Sequence, residues 1–224
     1  MKLRHEYKHY INYSDYLILK QRLKVIMSPD KYTNEKGQYQ IRSLYFDNIY
    51  DKALREKIDG INCREKFRIR IYNNDPSLIR LEKKSKIDHL CNKKSTIISK
   101  QQTLDIIDGK VTWILNSNDD LLLEFYSKMK SQLLKPKTIV EYTREPYVMR
   151  AGNVRVTIDS NIKTSILNTD FLNMQAPLIT AGEKDIILEV KYDNFLPEIV
   201  HNVVNIGNLR TTAFSKHAVS RIYG

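Results

Sequence analysis

Apolar residues fall at every second position in eight stretches of the chain: residues 4–11, 39–47, 65–72, 78–86, 90–97, 138–147, 153–160 and 186–193. A period of two is that of a strand with one face buried, so the pattern predicts a fold dominated by strands. Helical patterns are fewer. Ser14 is placed to cap a helix from Asp15 to about Met27, whose apolar side is Tyr16, Leu17, Leu19, Leu23 and Ile26 and which Pro29 cannot continue. Further helices are predicted over residues 100–107, stopping at Gly109, over 119–133, stopping before Pro136, and from Ser215 towards the C-terminus. The connections Asn73-Asn74-Asp75-Pro76 and Ala151-Gly152-Asn153 are short and rich in turn residues, which makes their flanking strands antiparallel partners.

The polar positions of these strands are unusually charged. Lys66, Arg68 and Arg70 share one face opposite Phe67, Ile69 and Ile71, and after the turn Arg80, Glu82, Lys84 and Lys86 share a face opposite Ile79 and Leu81. Arg155, Thr157 and Asp159 fall together, as do Glu189 with Lys191 and Glu6 with Lys8. A single half-buried strand is expected to be apolar inside and charged outside. Five strands carry an Arg or Lys within two positions of another ionisable group, four of them with a carboxylate on the cationic face, and together they ask for more. A surface for nucleic acid would avoid the carboxylates, which phosphates repel; a site holding phosphates through a divalent metal needs them. Closing eight such strands gives a barrel wide enough for a lumen of side chains or one small ligand. With charge inside, the apolar faces turn outward and need cover, which the helices at 15–27 and 119–133 can give. Buried cations in excess then demand an anion.

Composition narrows the partner without choosing it. The chain has 224 residues, 42% hydrophobic and 28% charged, with 7 Gly and 6 Pro, which excludes collagen-like, low-complexity and disordered classes. No repeat, flexible linker or long single-sign run divides it, so residues 1–224 read as one domain. Its 37 Lys and Arg exceed its 26 Asp and Glu, a formal charge of +11, which favours nucleic acid, anionic lipid or a phosphate-rich molecule. Cys63 and Cys91 lack both a disulfide framework and zinc spacing and read as reduced thiols. The start MKLRHEYKHY has no secretion-signal core, and no stretch approaches the ~18 apolar residues of a membrane span, so a cytoplasmic chain that inserts in no membrane is expected. There is no phosphate-binding loop of the G-x-x-x-x-G-K-[ST] type.

Taken in order, IRSLYFDN from Ile41, KFRIRIY from Lys66, LEKKSK from Leu81, YTREPYV from Tyr142, VRVTID from Val154, ILEVKY from Ile187 and FSKHAVSR from Phe214 resemble the VTC domain, the polyphosphate polymerase branch of the CYTH-like triphosphate tunnel metalloenzymes. The resemblance runs from Arg4 to Arg221. It implies an α+β, mainly β fold: an eight-stranded antiparallel tunnel barrel with a polar, basic lumen, flanked by a few amphipathic helices. It also implies a metal-dependent phosphotransferase that passes the γ-phosphoryl group of ATP to a growing polyphosphate chain, with Mn2+ or Mg2+ as cofactor and ATP and polyphosphate or pyrophosphate as partners.

By the same resemblance Arg68, Arg70, Lys84, Arg155 and Glu189 carry catalysis. Lys8, Tyr45, Lys66, Lys86, Arg144, Lys191 and Lys216 contact phosphates or nucleotide, Tyr45 as part of the wall beside the base. Glu189, with Glu6, Glu82 and Asp159, provides metal ligands. Arg144 has an ambiguous facing in the strand pattern. Related tunnel hydrolases and cyclases begin Glu-x-Glu-x-Lys, whereas this chain reads Arg4-His5-Glu6-Tyr7-Lys8; a cation in place of the first carboxylate weakens a two-metal hydrolytic reading. The SPX module and membrane helices of eukaryotic relatives are not expected in this chain, and a membrane or other protein partner is left unassigned.

Two rivals stay open. One is hydrolysis of tripolyphosphate or a nucleoside triphosphate in the same tunnel. The other is a non-catalytic module binding polyphosphate or nucleic acid, although no nucleic acid is expected beside these carboxylates. His5 and His9 read as surface residues, His217 as a solvated helix position and Trp113 as packing.

Overall fold

The computed structural model describes residues 4–87, 90–165, 168–181, 186–206 and 215–222. In chain order the strands are β1 (His5–Ile11), β2 (Ser28–Pro29), β3 (Tyr39–Asp47), β4 (Arg64–Tyr72), β5 (Asp75–Ile87), β6 (Leu90–Ile98), β7 (Lys135–Met149), β8 (Val154–Thr164), β9 (Ile179–Thr180) and β10 (Ile186–Tyr192). The helices are α1 (Tyr13–Ile26), α2 (Lys52–Ile58), α3 (Lys100–Ile107), α4 (Asp120–Ser131), α5 (Glu198–Val204) and α6 (Lys216–Ile222). Every ladder is antiparallel, in the order β1-β10-β8-β7-β3-β4-β5-β6, with β2 added to β7 and β9 to β8. The sheet curls until its two edges touch, where Arg4 and Cys91 exchange backbone hydrogen bonds of 3.3 Å each.

Both predicted hairpins form, β4–β5 through Asn73 and Asn74 and β7–β8 through Ala151–Asn153. Gly152 adopts φ +67 in the second turn, and a Cβ there would lie 2.4 Å from the Phe195 carbonyl oxygen, so only glycine lets the chain after β10 rest on this turn.

The apolar stripes face outward. On the β3–β6 side Leu44, Phe67, Ile69 and Leu81 pack beneath α3 and α4 through Ile106, Leu122 and Phe125. On the β1–β10–β8 side Val156, Ile158, Leu188 and Val190 pack beneath α1 and α5 through Leu19, Leu23, Val200 and Val204. Each such side chain contributes roughly 1.5–3 kcal/mol when fully buried, which is why the helices lie where they do and why charge is left to the concave face. α1 is capped by Asn12, whose side chain accepts from the Asp15 amide, and not by Ser14, which lies inside the helix. Ser99 and Gln102 form a capping box on α3, and Asp119 caps α4. Trp113 packs on the β3–β6 core. Among the described residues no helix is long and apolar enough to cross a membrane.

Candidate functional site

The concave face is a mesh of ion pairs built by strand alternation. On β4, Arg68 donates from Nε and NH2 to Glu82 Oε2 at 2.8 and 2.7 Å, and from NH1 to the Tyr45 hydroxyl at 3.1 Å. Arg70, two residues on, donates to Ser43 Oγ at 3.0 Å and to the Tyr142 hydroxyl at 3.1 Å. Lys93 reaches the other oxygen of Glu82 at 3.0 Å. Burial opposes ionisation of Glu82, but Arg68, Arg70 and Lys93 outweigh it and hold its carboxyl well below the usual range.

Across the lumen the register sets Lys8 opposite Glu189 and Glu189 opposite Thr157. The Lys8 ammonium lies 3.1 Å from both Glu6 and Glu189. Lys191 bonds Glu189 at 2.6 Å, and Lys84 bonds Glu6 at 2.8 Å. Burial, and the repulsion between Glu6 and Glu189, work against charge on this pair; the surrounding ammonium groups nonetheless hold both ionised. Arg144 grips Asp159 with two bonds, and Lys216 donates to the same carboxylate at 2.6 Å. Arg144 therefore points into the lumen. Arg155, at the start of β8, binds Asp30 and the Tyr39 hydroxyl, both at 2.8 Å.

Lys66 is the exception to the pairing. Its ammonium lies over the Tyr45 ring, 5.5 Å from the centroid, with a 3.4 Å contact to Ser215 Oγ and no carboxylate among the described residues. Burial and then the charges of Lys84, Lys8 and Arg68 push it down to about 7, with Tyr45 opposing. Burial would raise the Tyr45 phenol, yet Arg68, Lys66 and Arg70 bring it down to about 7. His217 is buried and tilted against the Tyr45 ring at 5.2 Å, which corrects its expected place in solvent. Burial, with Lys66 and Arg221 nearby, lowers it to about 3, so it is neutral.

A model of the VTC domain family matches residues 3–222 of the chain. The chain belongs to this family. The fold is similar to that of a protein described as a putative adenylate cyclase from Bacillus halodurans, at 13% identity and TM-score 0.51, covering 90% of this chain and 86% of that one. It is also similar to a conserved hypothetical protein of Pyrococcus furiosus (12% identity, 92% and 94% covered, TM-score 0.49) and to the Mimivirus capping enzyme triphosphatase (13%, 92% and 91%, TM-score 0.44). No curated protein matches it.

In this VTC domain the lumen brings together Lys8, Tyr45, Lys66, Arg68, Arg70, Lys84, Arg144, Lys191 and Lys216 with Glu6, Glu82, Asp159 and Glu189. Lys86 and Arg155 stand nearer the two ends. The four carboxylates do not form one cluster: among the described residues no three His, Cys, Asp or Glu side chains come together. Glu82 faces its own cations, Arg144 spans Asp159 and Glu189, and Glu6 and Glu189 share Lys8 and Lys191. Sequence reasoning overlooked Ser43, Tyr142, Tyr39, Ser215 and the part His217 plays. Ser43 lies two residues from Tyr45, and that spacing alone could have found it. Phe214, which opens the last motif, lies outside the described residues.

Proposed function

We propose that this VTC domain transfers the γ-phosphoryl group of ATP to the end of a polyphosphate chain. The observation that carries the reading is the lumen's unbalanced charge: its cations outnumber its carboxylates, and Lys66 has none. Arg70, Arg68 and Lys66 alternate along β4 over about 13 Å at the usual rise per residue, a track longer than three linked phosphates. Phosphoryl transfer has a loose transition state, so positioned cations supply most of the catalysis and no side-chain nucleophile is required. Arg68 and Arg70 would grip phosphate oxygens from one wall, and Lys8, Arg144, Lys191 and Lys216 from the other, with Arg155 near one end.

Glu6 and Glu189 suit Mn2+ or Mg2+: both are ionised and share Lys8, and Glu189 stands opposite Thr157, whose buried hydroxyl has no hydrogen-bond partner among the described residues. Hard cations of this kind take one or two carboxylates and complete their shell with phosphate oxygens and water. The ion would neutralise charge on adjacent phosphates. Arg4, where hydrolytic relatives carry a carboxylate, is paired with Asp193 at 2.9 Å, so it adds no third acid to Glu6 and Glu189 and favours transfer to phosphate over transfer to water.

Purified protein given ATP and Mn2+ should form a polymer that stains as polyphosphate on a gel. Glu189→Gln and Arg68→Ala should each lower synthesis by about 10²-fold or more. Release of phosphate without polymer would replace the polymerase reading with hydrolysis, and undiminished synthesis in both variants would refute the assigned roles.

A further inference from the structure

The cation stripe continues past its carboxylates. On β4, Arg64 extends the alternation of Lys66, Arg68 and Arg70, and the register sets Arg64 opposite Lys86 and Lys66 opposite Lys84. Like charges directly opposite one another destabilise a ladder. Farther along the stripe carboxylates relieve this, Glu82 between Arg68 and Lys93, and Glu6 among Lys8, Lys84 and Lys191. At the Arg64 end, none of Lys57, Arg64, Lys66 and Lys86 has an ion pair with a carboxylate among the described residues.

α2 packs on β4 and brings Lys57 to this end. Burial and the charges of Arg64, Lys8, Lys86 and Lys84 lower its ammonium to about 8. Of the described acids near this end, Asp51 is engaged with Arg221 and Lys137, Glu56 with Lys52, and Asp47 with the first amides of α2, while Asp59 at the end of α2 is exposed and makes no ion pair with these cations among the described residues. The opposite end differs, because Arg155 there is neutralised by Asp30. Lys57, Arg64 and Lys86 are each partly exposed, so an anion in solvent reaches them.

We infer that Lys57 and Arg64, beside Lys86, form a landing at the α2 end of the barrel for the part of a polyphosphate chain that extends beyond the lumen. The inference rests on the polyphosphate reading above and adds a direction to it: the polymer runs out past α2, not past Arg155. Lys57 and Arg64 are not among the residues assigned to transfer, so they act on chain length and retention and not on the first transfer.

The test is direct binding, without nucleotide, of long-chain polyphosphate and of tripolyphosphate to the full chain and to the Lys57→Ala/Arg64→Ala double variant, with Lys57→Glu as a second variant. Two screened contacts, each worth a factor of a few, predict roughly tenfold weaker binding of the long chain and a change within about twofold for tripolyphosphate. Polymer made from ATP should become shorter while initial ATP consumption holds. Equal affinity of both variants for the long chain, or an equal loss for tripolyphosphate, would overturn the landing. So would an equal loss against a single-stranded oligonucleotide of matched charge, which would make the surface a nucleic-acid site. If no polymer forms from ATP yet long-chain binding still drops, the landing stands and the polymerase reading alone falls.

Discussion

Arg144 and Asp159 close on each other across β7 and β8 with two parallel bonds, Nε to Oδ1 at 2.6 Å and NH2 to Oδ2 at 2.7 Å, and the carboxylate is fully buried. The forked pair fixes the guanidinium plane against the lumen, and Lys216 of α6 shares its acid. Asp159→Asn keeps the shape but removes the counter-charge that Arg144 and Lys216 share, leaving Arg144 the longer 3.7 Å pair with Glu189. Breaking one side of such a pair costs about 3–5 kcal/mol. A urea melt of the variant should show that loss; a midpoint within error of the parent would mean solvent or anions already screen the pair.

How much of this was legible beforehand differs by element. The period of two located all eight principal strands, and the placement of charge inside and grease outside followed from asking what could cover five charged faces. Arg144 resisted because the β7–β8 register shifts between Glu141 and Thr143, so strict alternation no longer tells which side it faces. α2 was missed because it buries no residue and thus carries no apolar stripe; its start is held by Asp47 of the preceding strand, whose oxygens accept from Ala53 and Leu54. α5 is a seven-residue helix with two buried valines, too short for its period to register. His217 looked solvated because its burial depends on Tyr45, far away in sequence.

Arg42 sets a second prediction, outside the lumen. It is fully buried on the outer face of β3 and donates to Glu141 at 3.0 Å and to the carbonyls of Phe171 and Asn173 at 3.0 and 2.8 Å. It pins the 168–176 segment to the barrel with three charge-assisted bonds. Arg42→Ala removes all three and leaves a void, so a loss of about 3–5 kcal/mol is expected. Amide exchange across 168–176 should accelerate more than in the strands. Uniform acceleration would show that Arg42 supports the whole sheet equally.

Phe125 tests the outward core. From α4 it meets Phe46 edge-on at 5.1 Å and Phe67 at 5.2 Å, and it is fully buried. Phe125→Ala should destabilise the chain by about 3–5 kcal/mol while leaving tripolyphosphate affinity of the folded protein unchanged, since it packs within the outward core. A variant of unaltered melting temperature would contradict the assignment of this face to the core.

Lys66 and Tyr45 make the lumen's response to an anion a matter of protons. Burial and neighbouring cations lower both, each to about 7, from ordinary values of 10.5 and 10.0. Without added phosphate at about pH 8 both have largely lost a proton that the unfolded chain keeps, so stability should rise as pH increases from about 7 towards 10. Tripolyphosphate favours the ammonium form of Lys66 and removes the cationic field that ionises Tyr45. Both groups must then take up protons on binding, and affinity should fall as pH rises above about 7. Calorimetry at about pH 8 in buffers of different ionisation enthalpy should report net uptake, which shrinks at about pH 5.5, where both are already protonated. Lys66→Met and Tyr45→Phe should each remove part of it. Binding heats independent of buffer at the higher pH would show that the phosphate does not reach these two groups.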